Sequence, residues 1–269
     1  FHNTVNSHSG SGRVMIPWIL SVIQGVKKMV KKRRKWIVLL FLVLLPVLGT
    51  GVYISDYYHA DQTALAALVP DEDTDITETD FGWCFDGPGN DTAMIFYPGG
   101  KVEETAYAPL LHELASAGTD VFLVKMPARL AIFSIDKAGS IMDRYDYRHW
   151  YIGGHSLGGA SAAYFAEKNA SRLDGLILLA SYSAKKLDDD LDVLLVFGSA
   201  DGVLNMQKYR ENRKNVPADA EEYIIEGGNH CQFGSYGFQS GDGMASIPAA
   251  EQVHETVSSI TVFMAENDN

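Results

Sequence analysis

Trp150-Tyr151-Ile152-Gly153-Gly154-His155-Ser156-Leu157-Gly158-Gly159 is the stretch that decides how this chain folds. It opens on a short apolar segment and holds Gly154-x-Ser156-x-Gly158 at its centre. It then runs into residues 160–168, which are rich in alanine and suit a helix. Strand, Gly-x-Ser-x-Gly, helix is the order of a sharp turn that lifts a serine hydroxyl clear of a sheet. Side chains at Gly154 and Gly158 would collide with that turn or with the neighbouring strand. The following helix would aim its first N–H groups at the place where negative charge develops in acyl transfer. A glycine-rich strand–helix turn with an incidental serine has the same five letters, so the rest of the chain must separate the two.

Outward from the turn, short apolar strands alternate with helical segments. Residues 92–97 (TAMIFY), 121–124, 151–152, 176–179, 191–197 and 222–225 read as strands, and 76–83 as a looser edge strand. Helices are expected over 107–117, over 128–142 with a break at Gly139, and over 206–213 and 247–265. A turn cluster occupies residues 86–91. This alternation predicts an α/β fold, a mostly parallel, doubly wound sheet covered on both faces. The connection from 179 to 191 leaves no room for a substantial cap.

The amino-terminal part is different in kind. Of 269 residues, 21% are charged and the formal net charge is −12, but eight of the 22 basic residues and none of the acidic ones precede residue 56. The remainder carries a net charge of −20, which argues against nucleic acid as a partner. A basic cluster at 27–35 is followed by twenty uncharged residues, 36–55, long enough to cross a ~30 Å hydrocarbon core. With its positive flank cytoplasmic, this segment would place the body outside the cell membrane as a single-pass signal anchor. A cleaved signal peptide, leaving a secreted body, is the rival reading. The sequence opens on Phe1 and not on Met, so the natural start is expected elsewhere, with Met15 and Met29 as candidates. Residues 1–12 are expected to be disordered, and residues 15–26 to be amphipathic. The expected organisation is a basic segment 1–35, an anchor 36–55, a linker 56–72 and a catalytic domain 73–269.

A serine nucleophile needs a base, and the base needs an orienting acid. After Ser156 there are two histidines. His254 falls within a helical segment and reads as surface, whereas His230 lies in a glycine-rich loop just past a strand. Asp201 follows residues 193–197 and ends a strand on the same edge; Asp188, Asp189, Asp190 and Asp192 precede that strand, and Asp242 breaks the order Ser, Asp, His. Catalytic roles therefore fall to Ser156, Asp201 and His230. Backbone donors for an oxyanion are expected from Leu157 and from Gly100 or Lys101, in the loop after TAMIFY. Cys84 and Cys231 are too few for a zinc site and could form one bridge in an oxidising compartment. No metal or organic cofactor is called for.

From about residue 73 to 267 the chain resembles the α/β-hydrolase superfamily, and most of all small, cap-poor bacterial hydrolases related to dienelactone hydrolases. The resemblance rests on Tyr97-Pro98-Gly99-Gly100-Lys101-Val102, Val124-Lys125-Met126-Pro127, Gly154-His155-Ser156-Leu157-Gly158-Gly159, Gly198-Ser199-Ala200-Asp201 and Gly227-Gly228-Asn229-His230-x-Gln232-Phe233-Gly234. Two departures stand out. Pro98-Gly99 replaces the family's usual His-Gly, and Ser156 stands where dienelactone hydrolases proper carry cysteine, which makes a dienelactone a poor substrate. The resemblance implies hydrolysis of a small-molecule ester, with small or short-acyl esters favoured. Thioesterase, peptidase or acyltransferase chemistry would use the same residues. A non-catalytic surface binding protein on the same fold is the rival from another class.

Overall fold

A computed structural model describes residues 17–89 and 91–267, and the chain divides after Ser55 into two units. The polar stretch 1–12, Met15 and Asn90 of the turn cluster lie outside the described residues.

Among the described residues, the first unit is one helix, α1 (Pro17–Ser55). Its stretch Trp18–Ser55 is long and apolar enough to cross a membrane and is unburied. The helix reaches further back than the apolar run alone suggests. It includes the basic cluster, because lysine and arginine are good helix formers and nothing between 27 and 36 breaks the ladder.

The second unit begins with α2 (Gln62–Ala66), capped by Asp61, whose carboxylate accepts the Ala64 N–H. Residues 56–72 are therefore not a free linker. Tyr58 bridges to Val102, the Asp61 N–H donates to the Ser235 carbonyl, and Ala64 is buried. The acidic composition of the segment hid these few apolar anchors.

Next come β1 (Asp75–Thr79) and β2 (Gly82–Asp86), an antiparallel hairpin. The single edge strand expected over 76–83 is two strands, because the chain turns at residues 80–81. The parallel core follows: β3 (Thr92–Tyr97), α3 (Ala108–Ser116), β4 (Asp120–Val124), α4 (Lys137–Met142), β5 (His149–His155) and α5 (Leu157–Asn169). It closes with β6 (Gly175–Leu179), β7 (Asp192–Gly198), α6 (Met206–Asn212), β8 (Glu221–Ile225) and α7 (Ala249–Asn267). The helix expected over 128–142 is cut down to α4. Two 3-10 turns precede it, with Ala128 and Arg129 at positive φ, so the interruption falls well before Gly139.

The strands order as β1-β2-β4-β3-β5-β6-β7-β8, and every pair from β4 onward is parallel. Alternate residues of a strand face opposite sides. Met94 and Phe96 pack with α3 and α7 residues such as Leu111, Ile260 and Phe263, while Ala93, Ile95 and Tyr97 pack with Phe165 of α5 and Ile141 of α4. Strands buried on both faces are continuously apolar, which is why TAMIFY and residues 175–179 are recognisable. All βα connections of the parallel strands emerge at one edge, where Ser156, Asp201 and His230 follow β5, β7 and β8.

Candidate active site

Ser156 sits immediately after β5 with φ 52° and ψ −120°, a conformation unfavourable for a residue with a Cβ. Its N–H donates to the Leu179 carbonyl at 2.9 Å, and its carbonyl accepts from Ser181 Oγ at 2.8 Å. These bonds fix the turn from both sides. A Cβ on Gly154 would stand 2.5 Å from the Tyr97 carbonyl oxygen, and one on Gly158 2.1 Å from the same atom. Backbone oxygens in a paired strand cannot yield, so both positions require glycine.

Asp201 follows β7 and His230 follows β8. Asp201 Oδ2 lies 2.8 Å from His230 Nδ1, and each side chain is only 1% exposed. The other oxygen of Asp201 accepts the Val203 and Leu204 N–H groups, each at 2.8 Å. With both oxygens engaged, the carboxylate has one orientation and holds the imidazole proton on Nδ1. His230 Nε2 is buried without a hydrogen-bond partner among the described residues. Ser156 and His230 line one cleft of about 280 Å³, together with Leu157, Ala160, Ala180, Val203 and Leu204. No hydrogen bond joins Ser156 Oγ to His230 Nε2 in this state; such contacts often tighten only when substrate is bound.

The Leu157 N–H opens α5, where N–H groups have no partner within the helix. A Cβ on Gly100 would meet Leu157 Cδ2 at 2.8 Å, so this loop packs directly on the Leu157 side chain. Lys101 is different. Its N–H already donates to the Arg129 carbonyl at 2.9 Å, whereas the Gly100 N–H has no acceptor among the described residues.

Several supporting residues escape a reading of the sequence. Asp242 does not touch the imidazole ring. Its carboxylate accepts the N–H groups of Cys231 at 2.8 Å, Gly202 at 3.0 Å and His230 at 3.3 Å, tying the Asp201 loop to the His230 loop. Burial pushes its pKa up, but these N–H donors outweigh burial and hold it below the usual carboxylate value. Gln252 of α7, fully buried, accepts the Asn229 N–H at 2.9 Å and donates to the Asn229 carbonyl at 2.8 Å. A glutamine on the mostly apolar buried stripe of α7 was the available signal. His112 and His149 pair with Asp71 and Asp174, and His254 with Glu113, all away from the cleft.

Both cysteines are free. Burial, reinforced by nearby acidic groups, pushes the Cys231 thiol up to about 11 and Cys84 up to about 12, so neither is a thiolate near neutrality. Among the described residues, no group of three or more His, Cys, Asp or Glu side chains could hold a metal ion.

A sequence profile described as the Alpha/beta hydrolase family matches residues 93–254. No curated protein matches the chain. Solved structures with the same architecture include a CIB-like hydrolase from Thermoplasma acidophilum, with 18% identity and a TM-score of 0.51 over 70% of this chain and 99% of that one. Est1E from Butyrivibrio proteoclasticus has 15% identity and a TM-score of 0.51 over 73% and 99%. A ferulic acid esterase from Streptomyces cinnamoneus has 18% identity and a TM-score of 0.53 over 67% and 68%. At such identities the likeness is one of fold.

Proposed function

The chain belongs to the alpha/beta hydrolase family, and on that premise we propose that it is a serine hydrolase acting on small or short-acyl carboxylic esters. The observation that carries the reading is the buried Asp201–His230 pair, whose histidine lines the same cleft as Ser156. Ser156 Oγ attacks the ester carbonyl while His230 Nε2 takes its proton. The Leu157 and Gly100 N–H groups receive the oxyanion, and Asp201 stabilises the imidazolium. The tetrahedral intermediate collapses, His230 returns the proton to the departing alcohol, and an acyl-enzyme remains. Water, deprotonated by His230, releases the acid and restores Ser156. The modest cleft volume, and a lining that carries no Asp, Glu, Lys or Arg, favour a short, neutral acyl group.

The family's serine chemistry predicts Ser156-dependent turnover of p-nitrophenyl esters, falling as the acyl chain lengthens from acetate to octanoate. Ser156→Ala should lose at least about 10³-fold in kcat. Equal turnover by the variant would remove the assignment. On the same footing we read residues 36–55 as a membrane anchor and 73–269 as an extracytoplasmic catalytic domain. The length and apolarity of α1 and the positive flank at 27–35 support this.

A further inference from the structure

Two buried polar side chains behind the cleft take no part in these proton transfers. Tyr107 ends the 3-10 turn that leads into α3, and His155 is the last residue of β5. Tyr107 is 0% and His155 1% exposed. The Gly99 N–H donates to Tyr107 Oη at 3.0 Å. A tyrosine hydroxyl has a single hydrogen, and His155 Nδ1, 2.8 Å away, is the one acceptor open to it among the described residues, so we assign the hydroxyl as donor to that nitrogen. This assignment makes His155 Nδ1 the acceptor and puts the ring proton on Nε2. Burial first, and then the neighbouring His230, hold the His155 pKa well below 6.5, so the ring is neutral.

The chain of contacts ends on the catalytic base. The His155 and His230 rings lie 4.4 Å apart, centroid to centroid, tilted by 52°, and Phe233 closes the other contact at 5.5 Å. A Cβ on Gly99 would stand 2.6 Å from Tyr107 Oη and 2.9 Å from His155 Nδ1, so loop, hydroxyl and imidazole meet with no spare room. The oxyanion loop is thereby pinned on both sides of its free donor. Gly99 is held by Tyr107, Lys101 is held by the Arg129 carbonyl, and the Gly100 N–H stands between them.

We propose that Tyr107 and His155 are positioning residues, a buried hydrogen-bonded pair that sets the Gly100 N–H for the oxyanion and backs the His230 ring. The inference rests on the reading of Ser156 and His230 given above. Its energetic logic is that of preorganisation: donors aimed before the charge develops need no rearrangement when it does. A displacement of about 1 Å in such a donor costs up to about 100-fold in rate. His155 also has to be neutral. His230 becomes cationic in the transition state, and a second imidazolium beside it would oppose that charge.

The test compares the full-length enzyme with Tyr107→Phe, His155→Asn and His155→Leu. It measures kcat and KM on p-nitrophenyl acetate, inhibition by a short alkylboronic acid, and the thermal midpoint. The boronate forms a tetrahedral adduct on serine and so reports the oxyanion site. Tyr107→Phe keeps the ring and loses only the hydroxyl. It should lower kcat and boronate affinity together by about 10- to 100-fold with KM changed less than about threefold. His155→Asn keeps an oxygen acceptor for Tyr107 and should retain about tenfold more kcat than His155→Leu at a similar thermal midpoint. A structural role alone would move the midpoint and spare the boronate. Unchanged kcat and boronate affinity in Tyr107→Phe would overturn the inference, as would equal activity of the Asn and Leu variants. If Tyr107→Phe fails to fold, the Asn and Leu pair decides. A wild type with no Ser156-dependent turnover would remove the underlying reading and this inference with it; an active wild type with unaffected variants would remove this inference alone.

Discussion

Asp201 and Asp242 are two carboxylates within reach of one histidine, and their partners differ. Asp201 meets the ring of His230, whereas Asp242 meets only backbone N–H groups around it. Asp201→Asn leaves the packing intact but offers the ring an amide that favours the wrong tautomer. It should lower kcat by about 10³- to 10⁴-fold with little change in thermal midpoint. Asp242→Asn should do the reverse, lowering the midpoint by several degrees and kcat by less than about tenfold, since charge-assisted bonds contribute about 1.5–3 kcal/mol at most. The sign of the pH effect follows from the depressed pKa of Asp242. Its stabilisation is complete above the unfolded carboxyl value of 3.8 and is lost as pH falls through the lower folded value. The gap in midpoint between wild type and Asp242→Asn should therefore narrow below pH 3.8. Thermal scans at neutral and acidic pH check this; a gap independent of pH, or a kcat loss greater for Asp242→Asn than for Asp201→Asn, would contradict the assignment.

At the level of elements, what could be read from the chain was what is buried on both faces. β3, β6 and β7 stand out as short apolar runs because helices cover both sides of the sheet. The segment 127–136 did not, because its path depends on positive φ at Ala128 and Arg129, and the Arg129 carbonyl is used to hold Lys101. The packing of residues 56–72 was hidden for a related reason: its partners, Val102, Glu103 and Ser235, are remote in sequence. α1 carries its own prediction. After an alkaline carbonate wash, the full chain should stay with the membrane pellet, while residues 56–269 expressed alone should be found in the supernatant with kcat unchanged. The second unit has its own core on both faces of the sheet. A full chain released by carbonate would contradict an anchoring role for α1.

Over the whole molecule, the proposed site draws on the ends of β5, β7 and β8, which are separated in sequence but lie within four successive strands along one sheet edge, with β6 between β5 and β7. The sequence offered Ser156, Asp201 and His230 as candidates for the same reason. Each follows an apolar strand, and parallel strands deliver their carboxyl ends to the same side. The supporting residues could not be chosen that way, since Tyr107, Gln252 and Asp242 act through contacts that only the folded chain creates. Lys101 shows the converse, a residue in the right loop whose N–H is spent on Arg129. The central claim is that Ser156 is the nucleophile. The most direct measurement is to treat the full-length protein with a fluorophosphonate and locate the adduct by peptide mass spectrometry. One adduct on Ser156, absent in Ser156→Ala and slowed by a competing short-acyl ester, is the expected result; no adduct, or an adduct on another residue that persists in Ser156→Ala, would contradict it.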